Sequence, residues 1–222
     1  MKISILAFML NEIDAIKKVL PQIKKEWYDE LLIVDGGSTD GSIEEARRQG
    51  FTVYIQDKKG LGAAFSEGLK RLNGDIIVIF CPDGNFLPEK IPLLTEKIKE
   101  GYDISMVSRY IKGARSFDDD RVTAFGNWML TQMVNLLFNA GTTDLLYNYR
   151  AYRKDVINNL KKENDEGWGT RLFLRGIKKG LKIIEIPGDE PNRIGGVRKM
   201  NPLRNGSIEL ACILQEFILR KF

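Results

Sequence analysis

An α/β fold is predicted: a mostly parallel sheet flanked by helices, in a single domain. Three observations predict it. Short β-rich runs alternate with stretches of helical spacing through the first half of the chain. Each run is bounded by Gly, Asn or Asp. The chain has 222 residues, 43% hydrophobic and 29% charged, which is one full-sized domain with material for a substantial core.

Strands are expected at Ile3–Phe8, Leu31–Val34, Thr52–Ile55 and Asp75–Cys81. Between them Glu12–Lys25, Ser42–Gln49 and Gly62–Leu72 carry apolar residues at helical spacing, with Ala64, Leu69 and Leu72 marking one face. Asp40-Gly41-Ser42 ahead of Glu44-Glu45 is a helix start with acidic residues in the first turn. Pro88–Glu100 is a helix ended by Gly101, and Asp103–Ser108 the next strand. Strands alternating with helices of this length form βαβ units.

The second half is less regular. Gly113–Arg121 is a charged loop carrying Asp118-Asp119-Asp120, expected to be a solvated acidic stretch. Val122–Phe138 is a long apolar helix whose Trp128, Met129 and Met133 are expected in the core. Tyr147–Arg153 and Lys182–Ile186 are strands, Thr170–Lys179 is a helix, and Gly188–Asn201 is a mobile-loop candidate. Trp168, between two glycines, either lines a sugar or lipid groove or packs inside. The domain is expected over residues 1–200, with an amphipathic helix over 201–222. That helix puts Leu210, Ile213, Leu214, Phe217 and Ile218 on one stripe and Arg204, Arg220 and Lys221 outside it. It packs on the domain, or serves as a membrane-surface or dimer helix.

Composition excludes several function classes. No histidine is present, which removes Ser-His-Asp and Cys-His nucleophiles and His-ligated zinc. Cys81 and Cys212 cannot build a disulfide framework, so a reducing, cytoplasmic compartment is expected. The net charge of +4 is weak support for anionic partners. Basic residues are dispersed and no nucleic-acid signature is present, so nucleic acid is not an expected partner. No segment is long and apolar enough to span a membrane, and the inner membrane face is the furthest peripheral location expected.

Ligands in such sheets bind outside the carboxyl ends of the strands. There the chain carries Leu10-Asn11-Glu12, Asp35-Gly36-Gly37-Ser38, Cys81-Pro82-Asp83-Gly84-Asn85 and Ser108-Arg109-Tyr110. A carboxylate beside an amide oxygen suits a hard divalent cation; a plain Pro-Asp-Gly turn is the alternative.

Taken together these segments resemble family 2 glycosyltransferases of the GT-A fold. Within that family they are most similar to the dolichol-phosphate mannose synthase group of polyprenyl-phosphate sugar transferases. Leu31–Ser42 resembles the family's V-D-D-G-S-x-D-G-T loop, and Gly60–Lys70 its G-L-G-T-A-Y-x-x-G-L-K helix. Val107-Ser108-Arg109-Tyr110 resembles G-S-R-Y, and Asp144 to Tyr152 resembles D-x-T-S-G-F-R-A-Y. Arg193 through Gly196, with Lys199 and Met200, resembles R-x-x-G-x-S-K-M.

The resemblance implies roles. Leu10, Glu12, Asp35, Pro82 and Asp83 would bind the nucleotide, and Asp83 and Asn85 a Mg²⁺ or Mn²⁺ ion. Arg109, Arg193 and Lys199 would hold phosphate; Arg115, Arg121 and Arg150 would bind the acceptor; Asp83 and Arg121 would be catalytic. The implied reaction is inverting transfer from a nucleoside diphosphate sugar to a polyprenyl phosphate, with a membrane surface or membrane subunit as a further partner. The alternatives are a hydroxyl acceptor, with Asp118–Asp120 or Asp144 as base, and a non-catalytic sugar-nucleotide binder. The chain departs from the family's pattern at Cys81, Gly36, Leu10 and Arg198, where aspartate, aspartate, tyrosine and serine are usual.

Overall fold

The computed structural model describes residues 1–162, 166–195 and 201–219. Gly196, Arg198, Lys199, Met200, Arg220 and Lys221 therefore lie outside the described residues.

The strands are β1 (Ile3–Met9), β2 (Glu30–Asp35), β3 (Thr52–Ile55), β4 (Ile76–Phe80), β5 (Ile104–Ser108), β6 (Arg150–Arg153) and β7 (Ile183–Pro187). They form one sheet in the order β3-β2-β1-β4-β6-β5-β7. All run in one direction except β6, which pairs antiparallel with both β4 and β5. The carboxyl ends of β1, β2, β4 and β5 therefore share an edge, and the residues entering β6 join them from the opposite direction.

The helices are α1 (Ile13–Val19), α2 (Ser42–Arg48), α3 (Leu61–Leu69), α4 (Lys90–Lys99), α5 (Arg121–Phe138), α6 (Lys154–Leu160), α7 (Trp168–Lys178) and α8 (Pro202–Ile218). The helix expected to run to Lys25 stops at Val19 and continues as 3-10 turns. Pro21 is the reason: it has no N–H to donate, and its ring excludes the carbonyl one turn earlier. The strand expected from Tyr147 begins only at Arg150; ahead of it the hydroxyls of Tyr147 and Tyr149 donate to the carbonyls of Asn85 and Leu87, each at 2.8 Å. Helix α6 has no counterpart among the expected elements; Val156, Ile157 and Leu160 bury one face of it.

Alternation along β1 sends successive side chains to opposite faces of the sheet. Ile3, Ile5, Ala7 and Met9 join a core with α1, α2 and α4. Leu6 and Phe8 join a second core with α3, α6 and α7. A third cluster fixes the far end of the sheet, where Met106, Leu130, Val134, Phe173 and Ile213 draw α5, α7 and α8 together. Trp168 belongs to the second core: it stacks on Phe65 with ring centroids 4.2 Å apart and meets Phe8 edge-on. It lines no groove.

Helix α8 is fastened to α7 chiefly around one buried carboxylate, with Arg171 also reaching Gln215. Glu216, 1% exposed, accepts from Arg175 Nε at 2.8 Å and Lys178 Nζ at 2.6 Å, with Arg171 Nη1 at 3.4 Å. Leu210 and Ile213 of the expected stripe face inward, whereas Leu214 and Ile218 remain exposed.

Candidate active site at the carboxyl edge of the sheet

The segment entering α1 and the loop after β2 are tied to each other. Asp35 is fully buried, and its Oδ1 accepts from the N–H groups of Gly37 (2.8 Å) and Ser38 (2.7 Å), its Oδ2 from the Ser38 hydroxyl. The same hydroxyl accepts from Asn11 N–H, and Asn11 Oδ1 from Thr39 N–H. Asp35 thus shapes the loop from within. Leu10 lies across Gly36: a Cβ built there would stand 3.3 Å from Leu10 Cδ1, so the glycine makes room for the leucine.

The loop after β4 is covered by residues 191–195. Arg193 donates from Nη2 to Asp83 Oδ2 at 2.8 Å and from Nη1 to Glu12 Oε1 at 2.9 Å. Its Nε is buried and makes no hydrogen bond among the described residues. Ile194 N–H donates to the Asp83 carbonyl, Asn85 Nδ2 to the Pro191 carbonyl, and Arg193 N–H to Asp118 Oδ1. Gly84, at φ +97°, leaves space that a side chain would fill: a Cβ there would meet the Ile194 backbone nitrogen at 2.9 Å. The expected mobile loop is therefore anchored over its described part. Pro82 is buried.

Burial pushes the Asp83 carboxyl above its ordinary value; Glu12 adds to the shift and Arg193 opposes it. Burial, with the charge of Asp83, raises the Cys81 thiol well above the usual range, so the sulfur is a neutral thiol and a poor ligand for a hard cation. Among the described residues no three acidic or thiol side chains are gathered as a metal cage. The donor set still fits Mg²⁺ or Mn²⁺ that takes one carboxylate, here Asp83, and most of its oxygens from phosphates and water.

Arg109 has a different environment from the one expected. It is 6% exposed, and Asp144 takes its Nε and Nη2 at 2.7 and 3.0 Å. Nη1 reaches Glu190 at 2.8 Å and Asp119 at 3.1 Å, and Tyr147 covers the guanidinium at 4.7 Å. Burial raises the carboxyl of Glu190, with Arg109 opposing. Three carboxylates hold this guanidinium, which anchors residues 116–120 and 188–190. Arg150 is enclosed as well: it is fully buried and donates to the carbonyls of Leu145, Tyr147 and Gly169.

Arg115 and Arg121 are exposed beside this cluster, the second as the first residue of α5. The acidic run between them is not a solvated stretch. Asp119 accepts from Arg109 and the Tyr110 hydroxyl, Asp118 from Arg193 N–H, and Asp120 caps α5 through Val122 and Thr123 N–H. Glu190 was not anticipated; no local pattern marks it, since its partner lies on another strand end.

Comparison with known proteins agrees with this geometry. The family model described as "Glycosyl transferase family 2" matches residues 4–161. The chain is 28% identical over 199 residues to a dolichyl-phosphate hexose transferase of Haloferax volcanii, covering 89% of this chain and 86% of that protein. It is 28% identical to the polyprenol monophosphomannose synthase of Mycolicibacterium smegmatis over 194 residues, 77% and 70% of the respective chains. Glucosyl-3-phosphoglycerate synthase of Mycobacterium tuberculosis, solved with Mn²⁺, UDP-glucose and phosphoglyceric acid, superposes with a TM-score of 0.77. It is 21% identical and covers 97% of this chain and 79% of that one, a likeness of GT-A fold. With more than half of the chain matched by the family model and the strand-end loops in place, this protein belongs to glycosyl transferase family 2 and is a glycosyltransferase.

Proposed function

We propose that the enzyme moves a sugar from a nucleoside diphosphate sugar to a polyprenyl-type lipid phosphate with inversion. The observation that carries the acceptor class is the engagement of Asp118, Asp119, Asp120 and Asp144, the carboxylates that would serve a hydroxyl acceptor as base. Asp144 is fully buried under Arg109 and Asn127, while Asp118, Asp119 and Asp120 hold Arg193, Arg109 and the start of α5. A phosphate acceptor is already an anion and needs no base. The names of the archaeal and mycobacterial relatives support the same class.

In this reading Leu10, Glu12, Asp35 and Pro82 frame the nucleoside end of the donor, with Asp35 acting through the loop it closes. Mg²⁺ or Mn²⁺ held by Asp83, with Asn85 beside it, would supply Lewis-acid neutralisation of the diphosphate leaving group. Arg193 turns from Asp83 toward the phosphates and stabilises the charge that grows there, joined by Lys199. Arg121 and Arg115 attract the acceptor phosphate from the open side.

Incubation of the protein with radiolabelled UDP- and GDP-sugars, Mn²⁺ and a short polyprenyl phosphate tests this. A lipid-extractable sugar phosphate that is absent for the Asp83→Ala variant is the expected result. Transfer to a glycan hydroxyl in preference to the lipid phosphate would overturn the acceptor class, and full turnover in EDTA would overturn the metal.

A further inference from the structure

Helix α5 is apolar on two sides. Its inward face packs Leu130 and Val134 into the core and carries Asn127, Thr131 and Asn135, which hold the chain that leads into β6. Asn127 donates to Asp144 and accepts from Leu146 N–H, Thr131 accepts from Leu145 N–H, and Asn135 pairs both ways with Thr142. The outward face is apolar. Val122 is 66% exposed, Phe125 61%, Trp128 58% and Leu136 85%, with Met129 between them. At 100° per residue these side chains fall on one stripe, which also holds Gln132 and, at its first turn, Arg121. Trp128 and Met129, expected in the core, are thus on the surface. An exposed apolar stripe of this size on an 18-residue helix marks an interaction surface.

We propose that this stripe lies on an anionic lipid bilayer, with α5 parallel to the surface. Charge selects the occupant. Helix α5 contains no acidic residue, and Arg121 starts it on the outward side, one turn before Phe125. Lys112 and Arg115 are exposed in the loop just before it; of the neighbouring acids Asp118 and Asp119 are engaged inward, and Asp120, though exposed, is taken up in capping the helix. Exposed cations beside Trp and Phe at the water boundary form the pattern of an interfacial helix. No helix among the described residues is long and apolar enough to cross the membrane. Position agrees: the stripe begins at the Asp120 cap, next to the loop that touches Arg193 and Arg109. A lipid phosphate would then enter the site along the surface on which the protein rests. The occupant leans on the lipid-phosphate reading, and the test separates the two.

The full-length protein is floated with phosphatidylcholine–phosphatidylglycerol vesicles and with phosphatidylcholine alone. Binding to the anionic vesicles, weakened by salt, is expected, with Trp128 emission quenched by brominated lipid and the quenching lost in W128F. The double variant F125S/M129Q should bind at least about tenfold less, while L214Q/I218Q on α8 binds as the native chain does. Equal binding by F125S/M129Q, or no quenching of Trp128 in the native protein, overturns the proposal. So does a dimer in sedimentation that F125S/M129Q converts to monomer, since the stripe is then a self-association face. Vesicle binding without transfer to polyprenyl phosphate would overturn the acceptor reading alone; transfer in detergent without vesicle binding would overturn the surface alone.

Discussion

Arg193 and Asp83, distant in sequence, meet at 2.8 Å across the carboxyl edge of the sheet, and the same guanidinium holds Glu12. A cation supplied by the chain therefore occupies the carboxylate that a metal would use. Mn²⁺ alone must displace it, whereas donor diphosphate offers Arg193 a new partner as the metal arrives. Without nucleotide, Arg193→Gln should tighten Mn²⁺ binding roughly threefold to tenfold, the worth of an ion pair of about 1 kcal/mol. With nucleoside diphosphate present the same variant should bind more weakly than the native chain. Calorimetry or Mn²⁺ spin resonance checks both signs; unchanged Mn²⁺ affinity would show that the pair does not compete with metal.

Cys81 offers a complementary change. Its neutral thiol stands where a hard oxygen would serve the metal better. Cys81→Asp should lower the melting temperature of the metal-free protein, because a further carboxylate joins Asp83 and Glu12. It should also give a larger upward shift on adding Mn²⁺ than the native chain does. Identical shifts would place position 81 outside the metal's reach.

Asp35 acts through its loop. Asp35→Ala releases the N–H groups of Gly37 and Ser38 and the Ser38 hydroxyl together. Nucleoside diphosphate and nucleotide-sugar binding should weaken by similar factors, on the order of 1–3 kcal/mol. Calorimetry with the bare nucleotide is the measurement, and an unchanged dissociation constant would remove Asp35 from the site.

Asp144→Asn tests the Arg109 anchor. It leaves a buried guanidinium with a poorer partner, and a loss of about 3 kcal/mol or more in unfolding free energy is expected. Denaturant melts report it. Arg109→Lys should cost stability too, since an ammonium cannot grip Asp144 through two parallel bonds.

Glu216 gives a pH signature. Burial alone would raise its carboxyl, but Lys178 and Arg175 outweigh burial and hold it below the ordinary value. A depressed acid contributes stability above its unfolded pKa and loses it as pH falls through the folded one. The stability gap between the native protein and Glu216→Gln should therefore be widest near neutrality and narrow below the ordinary carboxyl range. Melting curves across pH decide; a gap independent of pH would mean that packing, not charge, fastens α8.

The strand ends were legible because each follows an apolar run closed by Gly, Asn or Asp, signals that are local. The partners of Arg109 were not, because Asp144 and Glu190 reach it from other strand ends and only the sheet order unites them. Arg150 and Arg109 share a charge with Arg193, so residue type gave no warning that two are enclosed and one faces the site. The apolar period of α5 was visible, but its sense was not. Periodicity finds a stripe without saying which side is inward, and here Leu130 and Val134 turn to the core beside Asn127, Thr131 and Asn135, which bond the chain beneath them.

The reversed strand β6 also sets an order of assembly. Strand β5 has no direct partner in β4; its neighbours β6 and β7 both follow it in the chain, beyond α5. During synthesis β1 to β4 can pair as soon as they emerge, while β4 presents Ile76-Ile77-Val78-Ile79-Phe80 as an open edge. That run is apolar, uncharged and free of proline, the composition that recruits other chains. Paired with β1 on one side, it keeps its other edge open until Arg150–Arg153 has been made and has threaded in against it. A ribosome stalled between Ser108 and Arg150 would thus hold a half-sheet with its stickiest strand at the margin, and nascent chains of this length are the ones that a holding chaperone must cover.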